Sequence, residues 1–194
     1  MVEEASEMRN RTIEEICSAD GQEDFGAGWY EEIENRIEIL SKVAKAEIQF
    51  MQACCTEDKT AAAEGFRMLA RQGHARAQHN LGCCYAKGDG VEKDMVEAVK
   101  WYRKAAEFGL DKTQLYLGVC YATGDGVAKD EVEAVKWYRK AAEQGNADAL
   151  YVLGLCYEGG VGVEIDLPEA LKWYRKAAEQ GNDDARSALQ RLKQ

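Results

Sequence analysis

From about residue 73 onward, apolar positions return in a fixed rhythm. Leu81, Leu117 and Leu153 stand 36 residues apart, and so do Tyr85, Tyr121 and Tyr157, and Trp101, Trp137 and Trp173. The segment WYRKAAE occurs three times, starting at each of those tryptophans. A fixed period of this length marks a stack of small units, each of which buries its apolar face only against its neighbours. Within a unit the spacing is helical. Ala149, Leu153 and Tyr157 lie four apart and share one face, which predicts a first helix, A, running from about Ala147 to Tyr157. Ala98, Tyr102 and Ala105 form the stripe of a second helix, B, and Ala134, Tyr138 and Ala141 repeat it. Gly82, Gly118 and Gly154 sit beside the leucines of helix A, where the missing side chain lets another helix approach closely. Helix B opens at Asp94, Asp130 and Asp166, each followed three residues later by Glu. That spacing predicts a reciprocal cap, with the Asp accepting from a free backbone amide and the Glu reaching back to the cap residue. Gly109, Gly145 and Gly181 are placed to end helix B in the left-handed conformation.

The quoted positions, read from Ala147 to Gly181 as A-x-A-x-x-x-L-G-x-x-Y followed by the glycine loop, D-x-P-E-A, K-W-Y-x-K-A-A-E and a closing Gly, resemble the Sel1-like repeat family, a variant of tetratricopeptide repeats. The resemblance covers residues 73–181 as three repeats. It implies an all-α, right-handed superhelical solenoid of paired antiparallel helices, with the A helices lining a concave groove. It also implies a scaffold or adaptor that binds other proteins, and no catalysis.

The flanks follow the pattern less closely. Phe66, Leu69, Ala70 and Gly73 read as a degenerate helix B opened near Asp58, but Lys45 and Gln49 stand where the preceding helix A would carry Leu and Tyr. Ile33, Ile37, Leu40, Ala44, Ile48 and Met51 instead follow helical spacing. They predict one long amphipathic helix, Trp29–Cys55, that packs this stripe on helix 59–72, so that residues 29–72 cap the array as an atypical pair. Residues 182–194 read as a polar C-terminal capping helix, with Leu189 in the leucine position and Gln190 in place of Gly. Residues 1–28 form an acidic, partly flexible segment, with a short helix over 7–18 and a linker at Asp20–Gly28.

Charge sharpens this division. The net charge is −10; residues 1–60 carry 15 acidic and 6 basic side chains, and the rest of the chain is close to neutral. An acidic chain argues against nucleic acid as a partner. No apolar run is long enough to span a membrane, and the N-terminus lacks a signal-peptide pattern, so a cytoplasmic location is expected. The seven cysteines are odd in number, and Cys84, Cys120 and Cys156 follow the 36-residue period, which makes them buried small hydrophobes rather than a disulfide framework or a metal site. His74 and His79 are five apart, wrong for a helical metal pair. Cys83 is a reactive thiol only if exposed and supported by a suitable environment. The GDG triplets at Gly88 and Gly124 lack the G-K-[ST] of a phosphate loop and read as turns. No cofactor, small-molecule substrate or enzymatic activity is expected.

The positions of helix A that differ between repeats are free to contact a partner. They are Arg76, His79, Asn80 and Cys83 in the first repeat, Lys112, Leu115, Tyr116 and Val119 in the second, and Asp148, Tyr151, Val152 and Leu155 in the third. By resemblance to tetratricopeptide arrays these columns face the groove. A peptide or helix of a protein partner would anchor near Tyr116, Tyr151 and Leu155 and place an acidic group by Arg76 and Lys112. Two alternatives stay open. Leu115, Tyr116, Tyr151 and Val152 could pack between repeats, and the acidic N-terminal segment could act by occupying the groove or a basic partner. The three tryptophans are expected to cover seams between helices, with an exposed ligand-binding row as the other reading.

Overall fold

Each B helix starts on an aspartate whose geometry explains the recurrent D-x-x-E. The Oδ1 atoms of Asp94, Asp130 and Asp166 accept from the backbone amides of Glu97, Glu133 and Glu169 at 2.9–3.0 Å. The glutamates do not reach back as the sequence suggested. The cap residues' own amides already donate to the carbonyls of Tyr85, Tyr121 and Tyr157 at 2.9 Å, closing the A–B loop. The glutamates turn forward instead and pair with Lys100, Lys136 and Lys172, three residues on.

The computed structural model describes residues 28–192; the side chains of residues 28–34, 36, 40, 43 and 47 are outside that description. The acidic segment, the short helix expected over 7–18 and most of the expected linker lie outside the described residues. Those residues form a long helix α1 (Gly28–Cys55), α2 (Lys59–Arg71), and then alternating A and B helices. The A helices are α3 (Ala75–Lys87), α5 (Asp111–Thr123) and α7 (Ala147–Gly159). The B helices are α4 (Met95–Glu107), α6 (Glu131–Glu143) and α8 (Leu167–Glu179), and α9 (Asp183–Arg191) follows. No strand occurs among the described residues. The fold is an all-α solenoid.

The chain divides into two compact units between Lys45 and Ala46, part-way along α1. In the N-terminal unit the described stretch of α1 exposes Ile39 and pairs Lys42 with Glu38 at 2.7 Å. The unit from Ala46 onward holds the whole array. Here the expected face of α1 is corrected. Ile48 and Met51 are exposed, while Ala53 is buried and Ala46 and Phe50 pack on the core of α2 and α3. Phe50 meets Phe66 and stacks on His74 at a centroid distance of 4.9 Å. Ala46, Phe50 and Ala53 also have helical spacing, but two of the three are alanines, so they weigh little in a hydrophobic pattern. Ala53 wins because its small side chain fits against Gly65, where an added Cβ would stand 3.0 Å away.

Packing between repeats follows the tryptophans. Trp137 on α6 belongs to the cluster of α4 and α5, and Trp101 on α4 packs against that of α2 and α3. Trp173 on α8 joins α6, α7 and α9 in one core. Each B helix is thus pinned to the elements before it. Lys104, Lys140 and Lys176 cover the indole faces at 4.0–4.7 Å from their centroids, which closes the rings to a stacking ligand.

The array ends on a charged clamp. The Glu158 carboxylate accepts from both terminal nitrogens of Arg191 at 2.7 and 2.9 Å and from the Tyr174 hydroxyl at 2.6 Å. The Arg191 bonds, then the Tyr174 bond, hold the Glu158 carboxyl below its ordinary value. A folded-state value below the unfolded one, about 4.3, contributes stability above that pH and loses it as pH falls through the folded value. Wild type should therefore be more stable than Glu158→Gln at pH 7, and the difference should shrink steadily below about pH 4.3. Urea unfolding of both proteins across that range measures it.

Candidate partner-binding face

Polar side-chain contacts link α3 to α5, α5 to α7 and α7 to α9. Asn146, which caps α7, donates to Asp111 at the start of α5 at 2.6 Å, and Asn182, which caps α9, donates to Asp148 at 3.1 Å. His79 on α3 reaches Thr113 on α5 at 2.9 Å. The solvent faces of α3, α5 and α7 therefore form one continuous surface. The core faces are fixed by Leu81, Leu117 and Leu153, all fully buried.

The varied positions populate that surface unevenly. Arg76, Lys112 and Asp148 are exposed in one column. Tyr116, Val119 and Leu155 are exposed apolar side chains, with Tyr116 51% accessible. His79, Asn80 and Cys83 are half-buried. Leu115, Tyr151 and Val152 are half-buried against the α6–α9 core, and Tyr151 packs on Tyr174 at a centroid distance of 5.7 Å. Tyr116, Val119 and Leu155 are thus the apolar members that reach solvent. Two residues of the first repeat are engaged by α1. The Arg76 guanidinium lies over the Phe50 ring at 5.1 Å, and Asn80 Nδ2 points to Cys54 Sγ at 3.7 Å.

At the junction of α3, α4 and α5 the side chains interlock. Tyr116 stacks on Tyr102 at a centroid distance of 6.0 Å and tilts against His79 at 5.7 Å. Burial first, then the nearby Lys112 ammonium, pushes the His79 imidazole below its ordinary value, so it is neutral at pH 7. The Tyr102 hydroxyl donates to Cys83 Sγ at 3.5 Å, and burial followed by that bond raises its pKa. The sequence marked His79 and Cys83 as variable positions and Cys83 as a conditional thiol, but it connected neither to the other nor to Thr113. The available signal was that Thr113 replaces the alanine found at Ala77 and Ala149. His74 is half-buried and caps α3, its Nδ1 accepting from the Ala77 amide at 3.2 Å.

The model of the Sel1 repeat matches residues 75–109, 112–146 and 147–182, more than half of the chain. The chain belongs to the Sel1 repeat family. Two solved structures share the fold at substantial identity. A protective antigen of uropathogenic Escherichia coli with an SLR fold is 40% identical, with a TM-score of 0.71 over 78% of this chain and 34% of the antigen. The chain thus spans about a third of that protein's length. A Sel1 repeat protein from Oxalobacter formigenes is 46% identical, with a TM-score of 0.61 over 64% of this chain and 94% of that one. The cysteine rich protein B of Helicobacter pylori, 24% identical with a TM-score of 0.54 over 66% of this chain and 96% of that one, shares the fold alone. No curated protein matches the sequence. Sel1 repeats are non-catalytic scaffolds that generally mediate protein–protein interaction. Among the described residues, no helix is long and apolar enough to cross a membrane.

Proposed function

We propose that this Sel1 repeat chain is a non-enzymatic adaptor in the cytoplasm, binding a peptide or helix of a protein partner in the groove lined by α3, α5 and α7. The observation that carries this reading is the exposed apolar set Tyr116, Val119 and Leu155. These three residues stand on the solvent faces of adjacent A helices, at positions that do not repeat. Residues kept alike in every repeat build the stack; residues that differ and remain exposed are available to a ligand. Val119 and Tyr116 lie three apart on α5, the spacing that presents two anchors to one ligand face. Lys112 and Arg76 border the set, and Asp148 closes its other end, so an acidic group of the ligand belongs on the α3–α5 side. Leu115, Tyr151 and Val152 support the face from below.

The test uses Tyr116→Glu with Leu155→Glu, since both side chains reach solvent and neither belongs to a core cluster. A partner captured by wild type should bind this variant at least about tenfold more weakly, as expected when central apolar anchors are lost. Circular dichroism checks that the variant is folded. Equal binding by both proteins refutes the groove and moves the contact to the acidic residues 1–28.

A further inference from the structure

We propose that Cys83 is a site of covalent thiol modification, which forms mixed disulfides with low-molecular-weight disulfides while His79 acts as its general base. Cys83 Sγ stands 3.5 Å from His79 Nε2, and His79 Nδ1 stands 2.9 Å from Thr113 Oγ1. The imidazole is thereby fixed between a thiol on its own helix and a fully buried hydroxyl on the next A helix. His79 and Cys83 are four residues apart on α3, so they share a face and present sulfur and nitrogen to the same side. The Tyr102 hydroxyl completes the surroundings with a hydrogen bond to the sulfur.

The repeat shows that this grouping is not required by the fold. The positions of His79 are filled by Leu115 and Tyr151 in the other repeats, those of Cys83 by Val119 and Leu155, and those of Thr113 by Ala77 and Ala149. Three departures from the repeat, on two helices, converge on one point. The direct counterpart of the His79–Thr113 pair is Leu115–Ala149, which packs the same seam without polar atoms. The buried Cys84, Cys120 and Cys156 contrast with Cys83. Burial raises all three thiols, the latter two to about 11, and leaves them poor nucleophiles. Cys83 is half-buried, on the helix face whose counterparts Val119 and Leu155 are exposed.

The chemistry needs the tautomer in which Nδ1–H donates to Thr113 Oγ1 and Nε2 carries the free lone pair. Nε2 takes the thiol proton as Cys83 Sγ attacks one sulfur of the disulfide. The new S–S bond forms, the old one breaks, and the departing thiolate takes the proton from His79 to leave as a thiol. Cys83 is oxidised and the departing half of the reagent is reduced.

The probe is 2-hydroxyethyl disulfide, which is uncharged and so insensitive to Lys112 and Arg76. The rate of loading at each cysteine of the full chain is read by mass spectrometry, with fragment ions separating Cys83 from Cys84. Cys83 should load at least about tenfold faster than the exposed Cys55, a margin set below the roughly hundredfold that a positioned base supplies at its low end because Cys83 is itself half-buried. His79→Gln should remove that advantage while the Cys55 rate stays unchanged. The double variant His79→Leu, Thr113→Ala installs the packing of the next repeat and guards against a folding artefact; it should lose the advantage too. Loading of Cys83 no faster than Cys55, or an unchanged Cys83 rate in the double variant, overturns the proposal.

Discussion

Gly118→Ala is expected to destabilise the protein by about 3 kcal/mol, although the same change in an exposed helix interior stabilises by about 1 kcal/mol. The sign reverses because α5 and α6 touch at this glycine. A Cβ built there would stand 2.6 Å from Cδ1 of Tyr138 and 3.2 Å from the carbonyl oxygen of Ala134. Tyr138 is 4% exposed and its ring is rigid, so the ring cannot swing aside and the helices must separate. Separation opens the seam on which the second repeat depends. In a chain of this size each kcal/mol corresponds to roughly 2–4 °C, so the melting temperature should fall by about 6–12 °C. A second substitution identifies the cause. Adding Tyr138→Leu to Gly118→Ala should cost less than the two separate losses combined, with a coupling of about 1 kcal/mol or more. Gly109→Ala provides the contrast. Its φ is +89° but nothing lies within 4 Å of the added atom, so it carries only the backbone penalty of about 1–2 kcal/mol. A Gly118→Ala protein as stable as wild type would show that the helices slide freely at this contact.

That contact was legible in the sequence because it repeats: a glycine beside each leucine and a tyrosine in each B helix, all in phase. The capping aspartates and the positive-φ glycines after the A and B helices were legible for the same reason, since local backbone geometry follows from a few residues. Other features were not. Gly126 has φ +73° and would be read as a turn residue, but it also seats against the Met95 carbonyl at the start of α4, and a Cβ would stand 3.1 Å from the Met95 side chain. That approach joins loops of successive repeats and leaves no separate trace in composition. The face of α1 was misread because burial there rests on alanines chosen for closeness, while the larger Ile48 and Met51 point to solvent. At the partner-binding face, the sequence identified which positions vary but not how far each reaches solvent. Leu115 and Tyr116 are neighbouring large side chains, yet one packs on the α6–α9 core and the other is exposed. A difference of one residue rotates a side chain by about 100° around the helix, and the position of the next helix decides which of the two is covered.

Trp137→Ala is expected to cost about 3–5 kcal/mol, the range for removing a large aromatic side chain from a packed interior. Its effect should also be uneven along the chain. Trp137 is 7% exposed and is the contribution of α6 to the cluster that α4 and α5 otherwise form, with Ala98, Val99, Tyr102, Leu117 and Cys120 around it. The other buried residues of α6, among them Ala134, Tyr138 and Ala141, face the separate cluster shared with α7, α8 and α9. Removing the indole weakens the bond between α6 and what precedes it while leaving the later core filled. Lys140, 4.0 Å above the ring, loses its cation–π contact as well, a further loss of about 0.5–1 kcal/mol at an exposed site. In a stack whose stability is the sum of repeat and interface terms, such damage lowers cooperativity as well as the total. Native-state hydrogen exchange should therefore show amides of α4 and α5 losing more protection than those of α7 and α8. Trp101→Ala should be milder, because that ring is half-buried at the edge of the α2–α3 cluster. Uniform loss of protection across α4 to α8 in Trp137→Ala would mean that the two clusters unfold as one, and that the tryptophan seam does not divide the array.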